Sequence, residues 1–147
     1  MTEPIRPTAI ARVLPHRYPF QLIDLVLSDP HEMAQGRVRA LKNISANDTL
    51  LQGGALTAGR FPSVLLLEAL AQAAGMLVHH RLTLLEAGQP CYFAAIRRAH
   101  FYAAARAGDR LHLDVRLLRQ RRNMVRFSGV ATVAGKRLCV AEFTCAS

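Results

Sequence analysis

The sequence predicts an α+β fold in which one long helix is wrapped by an antiparallel sheet of about six strands. A single long apolar segment lies near the middle of the chain, and segments with the apolar spacing of β-strands precede and follow it. Because nothing else in the chain could cover an apolar helix, the sheet must wrap around it. With 147 residues, the chain is expected to form one domain over residues 1–147.

The first half of the chain opens with a predicted pair of strands. Residues 20–28 (FQLIDLVLS) and 36–44 (GRVRALKNI) have strand-like apolar spacing, and the turn-like residues 29–32 (DPHE) separate them. A glycine-rich loop follows at residues 52–59 (QGGALTAG). The proline of residues 62–63 (PS) then suits the first turn of a helix, so the long helix is expected to begin there.

The apolar helix carries the most informative polar pair. It extends to about Leu85, and residues 64–78 contain only two side chains that are neither apolar nor glycine, Glu68 and Gln72. Their i, i+4 spacing places both on one helical face, so they should contact the same pocket. A membrane-spanning helix needs roughly 20 apolar residues, which predicts a buried core helix here and no membrane partner.

The second half of the chain is predicted to form an antiparallel meander. Leu111 and Leu113 alternate with His112 and Asp114, which is the period of a strand with one buried face. A two-residue connection at residues 134–135 (AG) is of the hairpin kind. The predicted strands are residues 91–102, 110–119, 124–133 and 136–145.

Composition limits the class of protein further. Hydrophobic residues make up 51% and charged residues 20% of the chain, which excludes a disordered chain, a collagen-like fibre and a disulfide scaffold. The three cysteines, Cys91, Cys139 and Cys145, have no metal-ligand spacing. We therefore expect reduced thiols, a cytoplasmic protein, and neither a metal nor another cofactor. The N-terminal residues contain no apolar run of signal-peptide length.

The charge predicts an anionic partner. Lysine and arginine total 19 against 10 acidic residues, a net charge of +9, and 17 of the 19 are arginine. No zinc-finger spacing, aromatic RNA-binding strand or basic heptad helix is present, so nucleic acid is not expected. An acidic carrier protein or a nucleotide-bearing thioester fits the charge. The arginines that could contact such a partner, or form a solvated face instead, are Arg97, Arg98, Arg116, Arg119, Arg121, Arg122 and Arg126.

Glu68 is the candidate acid. Burying a carboxylate costs several kcal/mol unless it is paired or protonated, so an apolar helix is expected to raise the pKa of Glu68. A carboxylic acid with a raised pKa could donate a proton near neutral pH, as a general acid must. The alternative is a structural glutamate satisfied by amide groups or by Gln72.

Several segments resemble the FabZ-type 3-hydroxyacyl-acyl carrier protein dehydratases over nearly the whole chain. The main ones are residues 14–20 (LPHRYPF) with Asp24, 41–48 (LKNISAND) and 68–75 (EALAQAAG). Residues 93–96 (FAAI) and 108–111 (GDRL) resemble two later strand signatures. The resemblance implies a hot-dog fold, at least a dimer or a trimer of dimers, and acyl carrier protein or CoA thioesters as substrates.

The resemblance also locates a missing group. In this family a histidine of a G-H-F-P-G loop and a glutamate from the facing subunit form the active site at a dimer interface. The glutamate falls on Glu68, but the loop falls on residues 53–57 (GGALT), so Gly54 stands where the histidine is expected. Elimination of water needs a base and an acid, and glycine supplies neither. His16 belongs to the opening segment, where we expect a structural role, and the other histidines lie on the helix end, on strands or in a turn.

Thioester binding is expected to survive this loss. The resemblance places the backbone amide of Ser63, at the start of the helix, where the family polarises the thioester carbonyl, with Val64, Gln72 and the Gly54 position also in the substrate site. Ser63 replaces a glycine of the family. Its hydroxyl either meets the incoming ligand or caps the helix.

Three functions therefore remain open from the sequence. The first is a dehydratase homologue of fatty-acid or polyketide-like metabolism that is impaired as a homodimer and completed by a histidine-bearing homologue. The second is a hot-dog acyl thioesterase that uses Glu68 alone. The third is a non-catalytic acyl-binding or regulatory protein, or a non-catalytic subunit of a heterodimer.

Overall fold

A computed structural model describes residues 3–46, 59–82 and 92–146. In chain order the elements are α1 (Pro7–Val13), β1 (Leu25–Val26), α2 (Pro30–Ala34), β2 (Arg37–Asn43), α3 (Ser63–Leu82), β3 (Tyr92–Phe101), β4 (Arg110–Arg121), β5 (Met124–Val133) and β6 (Lys136–Ala146). The six strands form one sheet in the order β1-β2-β4-β5-β6-β3, and every pair is antiparallel. The prediction of a long helix with an antiparallel six-stranded sheet is confirmed.

Helix α3 lies against the inner face of the sheet. Its apolar residues are buried on nearly every side, as expected for a helix enclosed by a sheet, and Leu66, Leu70 and Leu77 are fully buried. Gly129 of β5 packs directly against the helix, since an added Cβ would lie 3.1 Å from Cδ2 of Leu70. Residues Ser63–His80 have the length and hydropathy of a membrane span, yet 61% of that window is buried inside this chain, which fits a core helix.

The opening of the chain differs from the prediction. The strand predicted over residues 20–28 is reduced to β1, although β1 does pair with β2, with Leu25 opposite Leu41. The predicted turn at residues 29–32 is the start of α2, because Pro30 occupies the first turn and Asp29 Oδ1 accepts a hydrogen bond from the Glu32 amide at 2.8 Å. Helix α1 was not predicted, since residues 7–13 have no strong apolar period.

The meander agrees closely with the prediction. The connection between β5 and β6 is Ala134-Gly135, and both residues have positive φ, 50° and 81°. This is the backbone that a two-residue turn needs to match the twist of its strands. On each strand the buried residues alternate with outward-facing ones, so the sheet presents one apolar face to α3.

Candidate functional site

Gln72 ties helix α3 to the opening segment, which we define as residues 14–24. Its side chain is 1% exposed, and its Oε1 accepts a hydrogen bond from the Leu22 amide at 2.8 Å. Its Nε2 donates to the carbonyl oxygen of Phe20 at 2.8 Å. A buried amide with partners for both its ends is held in one orientation, so Gln72 fixes the opening segment across the helix.

Glu68 lies one turn earlier on the same face, as the spacing predicted. Its Oε1 accepts a hydrogen bond from Gln72 Nε2 at 3.2 Å and lies 3.1 Å from Nε2 of His16. The two contacts converge on one carboxylate oxygen. Since an ionised carboxylate can only accept, Nε2 of His16 carries the proton in this contact. Among the described residues, no contact of this kind is made to Oε2, the second carboxylate oxygen.

The expected rise in the pKa of Glu68 is wrong. Burial is the largest single influence and raises the pKa, but the hydrogen bonds from His16 and Gln72 and the charge on His16 together lower it below the ordinary value for glutamate. The side chain also remains 35% exposed, which limits the effect of burial. Glu68 is therefore a carboxylate near neutral pH in this chain.

His16 is the site residue whose role the sequence did not reveal. It was expected to be structural, yet its ring contacts the candidate acid directly. Its Nδ1 is buried and has no hydrogen-bond partner within the described residues. No periodicity relates His16 to Glu68, because they lie on different elements far apart in the chain. The one available signal was that both belong to segments carrying the same family resemblance.

The remaining predicted site residues lie near the start of α3 or outside the described part of the chain. Val64 lies one turn before Glu68 and is 66% exposed, so it is accessible to a ligand or a partner. Ser63 is the first residue of the helix, one position inside the cap, which weakens its interpretation as the capping residue. Gly54 lies outside the described residues.

Other features of the surface do not join this site. A groove of about 630 Å³ lies on the outer face of the sheet, lined among others by Arg39, His112 and Arg137, and none of the predicted site residues lines it. Within the described ranges, no three histidine, cysteine, aspartate or glutamate side chains are grouped to hold a metal ion. Burial raises the pKa of the Cys139 thiol to about 11, so this cysteine is not an activated nucleophile.

Comparisons with known proteins bear on this arrangement. Residues 14–142 match the family model described as a FabA-like domain. The chain is 44% identical over 139 residues to the 3-hydroxyacyl-acyl-carrier-protein dehydratase FabZ of Tolumonas auensis, covering 93% of this chain and 91% of that protein. It is 41% identical over 146 residues to the FabZ of Escherichia coli O9:H4, covering 99% of this chain and 94% of that protein.

Solved structures share the fold at lower sequence identity. The dehydratase heterocomplex ApeI:P from Xenorhabdus doucetiae matches with a TM-score of 0.77 and 22% identity, covering 100% of this chain and 92% of that chain. A hypothetical thioesterase from Streptococcus pneumoniae, solved with coenzyme A, matches with a TM-score of 0.59 and 18% identity, covering 76% and 78% of the two chains. These likenesses identify the fold as the hot-dog fold.

Proposed function

This chain belongs to the FabA-like family and is a homologue of the FabZ 3-hydroxyacyl-acyl carrier protein dehydratases, and from that premise we propose that it supplies the glutamate half of a composite dehydratase site. In this proposal the chain binds acyl thioesters and pairs with a homologue that retains the loop histidine. The partner's histidine and Glu68 of this chain then form one complete site. The other site of the same pair contains Gly54 and is inactive.

The arrangement of Glu68 is the observation that carries the proposal. Within a single chain, Gln72 and His16 hold Oε1 of the carboxylate, at 3.2 and 3.1 Å, and among the described residues no such contact is made to Oε2. A positioned group needs such support, because small misplacements of a reacting group cost large factors in rate. The glutamate half of the site is thus preformed, and the group it lacks is the one at the Gly54 position.

A homodimer should be a poor dehydratase for the same reason. Each composite site takes its histidine and its glutamate from opposite subunits, so two copies of this chain would lack the histidine in both sites. Losing one acid or base group typically costs about 10²- to 10⁴-fold in rate. Retention of Glu68 and Gln72 by drift after loss of function is the alternative explanation.

The charge of the chain supports an acyl carrier protein as the donor of the thioester. Arg119, Arg121 and Arg126 line one cavity of about 200 Å³ together with Met124 and Thr144, and no carboxylate of the described residues lines it. Arg119 and Arg126 lie opposite each other on β4 and β5. An acidic carrier surface would gain from this cluster in encounter rate and orientation. By homology to the FabZ dehydratases, we also propose a cytoplasmic location for this protein.

A complementation experiment tests the composite site. This chain is mixed with a histidine-bearing FabZ homologue whose own helix glutamate is changed to alanine, and dehydration of a 3-hydroxyacyl-acyl carrier protein is measured. We expect activity only in the mixture, because each component alone lacks one of the two groups. The matched control is Glu68→Gln, which keeps the shape of the side chain and should abolish the gain.

Two results would count against the composite site. One is a mixture in which native mass spectrometry detects the mixed pair but no dehydration occurs. The other is restored activity that Glu68→Gln leaves unchanged, since the glutamate of this chain would then have no part in it.

A thioesterase is the second candidate, and the protonation state of Glu68 favours it. The lowered pKa keeps Glu68 ionised at neutral pH, and an ionised carboxylate can accept a proton from the water that attacks a thioester carbonyl. The test is release of free thiol from acyl-CoA by this chain alone. Hydrolysis that disappears in Glu68→Gln supports the thioesterase, whereas its absence in the wild type removes it.

A further inference from the structure

Among the strands that the structure describes, β3 forms a long open edge of the sheet. It is the last strand in the sheet order and spans ten residues, Tyr92–Phe101, with β6 on one side. The opposite edge, β1, has two residues and is partly covered by a bridge between Ile5 and Val26. An open edge presents unpaired N–H and C=O groups to any other strand, so β3 is the edge at which a second chain can extend the sheet.

Two adjacent arginines lie at the centre of that edge. The midpoint of β3 falls between Ile96 and Arg97, and both Arg97 and Arg98 are exposed. The Arg97 side chain is 60% exposed and reaches one carboxylate, Glu142, at 4.0 Å. Glu142 is shared with Arg126, at 3.9 Å. A single carboxylate beside three guanidinium groups leaves the edge positively charged.

The backbone of β3 is irregular at the same place. Its pairing with β6 shifts register between Phe93 and Ala95 and again between Ile96 and Arg98. Bulges and charged side chains are both features by which edge strands avoid pairing with unselected strands. The edge is therefore built to pair selectively, and Ile96 and Phe101, exposed by 49% and 44%, offer apolar area to a selected partner.

Two copies of this chain would pair poorly along this edge. In an antiparallel pairing that overlaps all ten residues, Arg97 lies opposite the partner's Ile96 and Arg98 opposite the partner's Ala95. Arg97 and Arg98 of both copies then lie within the four central residue pairs of the new ladder, one arginine in each pair. Like charges at neighbouring cross-strand positions destabilise a ladder, whereas carboxylates at those positions would stabilise it.

We propose that the β3 edge selects a homologous partner whose own edge strand carries carboxylates opposite Arg97 and Arg98, so that mixed pairs form in preference to pairs of this chain. The identity of the partner as the histidine-bearing homologue rests on the proposed function. Charge selection at the β3 edge would favour the mixed dimer, which is the assembly in which Glu68 of this chain completes a dehydratase site.

A charge-swap experiment tests the selection with this chain alone. The double variant R97E/R98E is mixed with a mass-labelled wild type, and native mass spectrometry counts the three kinds of dimer. We expect mixed dimers well above the half that random pairing gives, and a loss of this excess in 1 M salt, where charges are screened beyond about 3 Å. The matched control is R119E/R121E, which makes the same charge change on β4 and should give the random ratio.

A second variant keeps the proposal testable if R97E/R98E does not fold. R97Q/R98Q removes the repulsion without adding carboxylates, and it should form homodimers about tenfold more tightly than the wild type. If R97E/R98E folds, a random ratio of dimers in the mixture overturns the proposal. If R97E/R98E does not fold, an unchanged homodimer Kd in R97Q/R98Q overturns it instead. Neither measurement of pairing uses a thioester. If pairing is selective but the complementation experiment gives no dehydration, the result counts against the proposed function and not against charge selection at the β3 edge.

Discussion

Nε2 of His16 lies 3.1 Å from Oε1 of Glu68, and this contact joins the opening segment to the carboxylate on α3. Burial raises the pKa of Glu68, and the hydrogen bond from His16 is the largest of the influences that bring it below the ordinary glutamate value. The chemistry open to Glu68 is therefore set by a residue outside its own helix.

The titration of Glu68 should depend on His16. In the wild type we expect a pKa below the ordinary glutamate value, and in His16→Leu we expect it to rise above the wild-type value, because burial remains while the donor and the charge are lost. Since the folded-state pKa is lowered, the contact stabilises the protein above the unfolded-state pKa, and this stability is lost as the pH falls through the folded-state pKa.

Carbon-detected NMR of the side-chain carboxyl groups measures this shift. Glu32 is the internal control, because its lowered pKa depends first on the hydrogen bond from Arg39 and should not respond to His16→Leu. An unchanged Glu68 titration in the variant would show that His16 has no influence on it.

Gln72→Leu should destabilise the fold through the opening segment. The leucine has similar volume but leaves the buried Leu22 amide without its acceptor, and an unsatisfied buried group costs about 1–3 kcal/mol. We expect a loss of about 2 kcal/mol in urea denaturation. Gln21→Leu is the control, since Gln21 makes one exposed bond to the Pro7 carbonyl, and it should change stability by less than about 0.5 kcal/mol. Equal effects of the two variants would refute the role of Gln72.

Gly54→His should increase dehydration of 3-hydroxyacyl thioesters by the homodimer. We expect the wild type to be at least about a hundredfold slower than a histidine-bearing relative, because it lacks one acid or base group. Steady-state assays of the wild type, Gly54→His and the control Gly54→Ala measure this. A wild type as fast as the relative would mean that another group replaces the loop histidine.

Gly129→Ala should weaken the packing of β5 against α3. The added Cβ would lie 3.1 and 3.2 Å from the two methyl groups of Leu70, closer than ordinary contact. Overpacking of this kind costs about 1–3 kcal/mol. Ser128→Ala, on the neighbouring outward-facing position, should cost less than about 0.5 kcal/mol. Urea denaturation of both variants measures the loss in the free energy of unfolding. A loss in Gly129→Ala no larger than in Ser128→Ala would show that Leu70 moves and relieves the contact.

Sequence patterns predicted the meander well and the opening of the chain poorly. Strands β4 to β6 have one buried face and tight turns, so alternation and turn residues locate them. Residues 14–24 have little regular structure, and their conformation depends on bonds to Gln72 that no local pattern encodes. The i, i+4 pair of Glu68 and Gln72 was predicted correctly because helical spacing is local. The pKa direction was wrong because it required the position of His16.

The bond between Gln72 and Leu22 joins residues 50 positions apart, and the pairing of Asn43 with Arg110 joins residues 67 apart. Contacts of such separation form late in folding, whereas hairpins of the β4-β5-β6 meander close over a few residues. Segments with little regular structure, such as residues 14–24, open locally at a lower free energy than the core strands of a sheet. We therefore expect the hydrogen of the Leu22 amide to exchange with solvent faster than those of the β5 amides. Its exchange rate then measures how often the opening segment separates from Gln72 while the rest of the molecule stays folded.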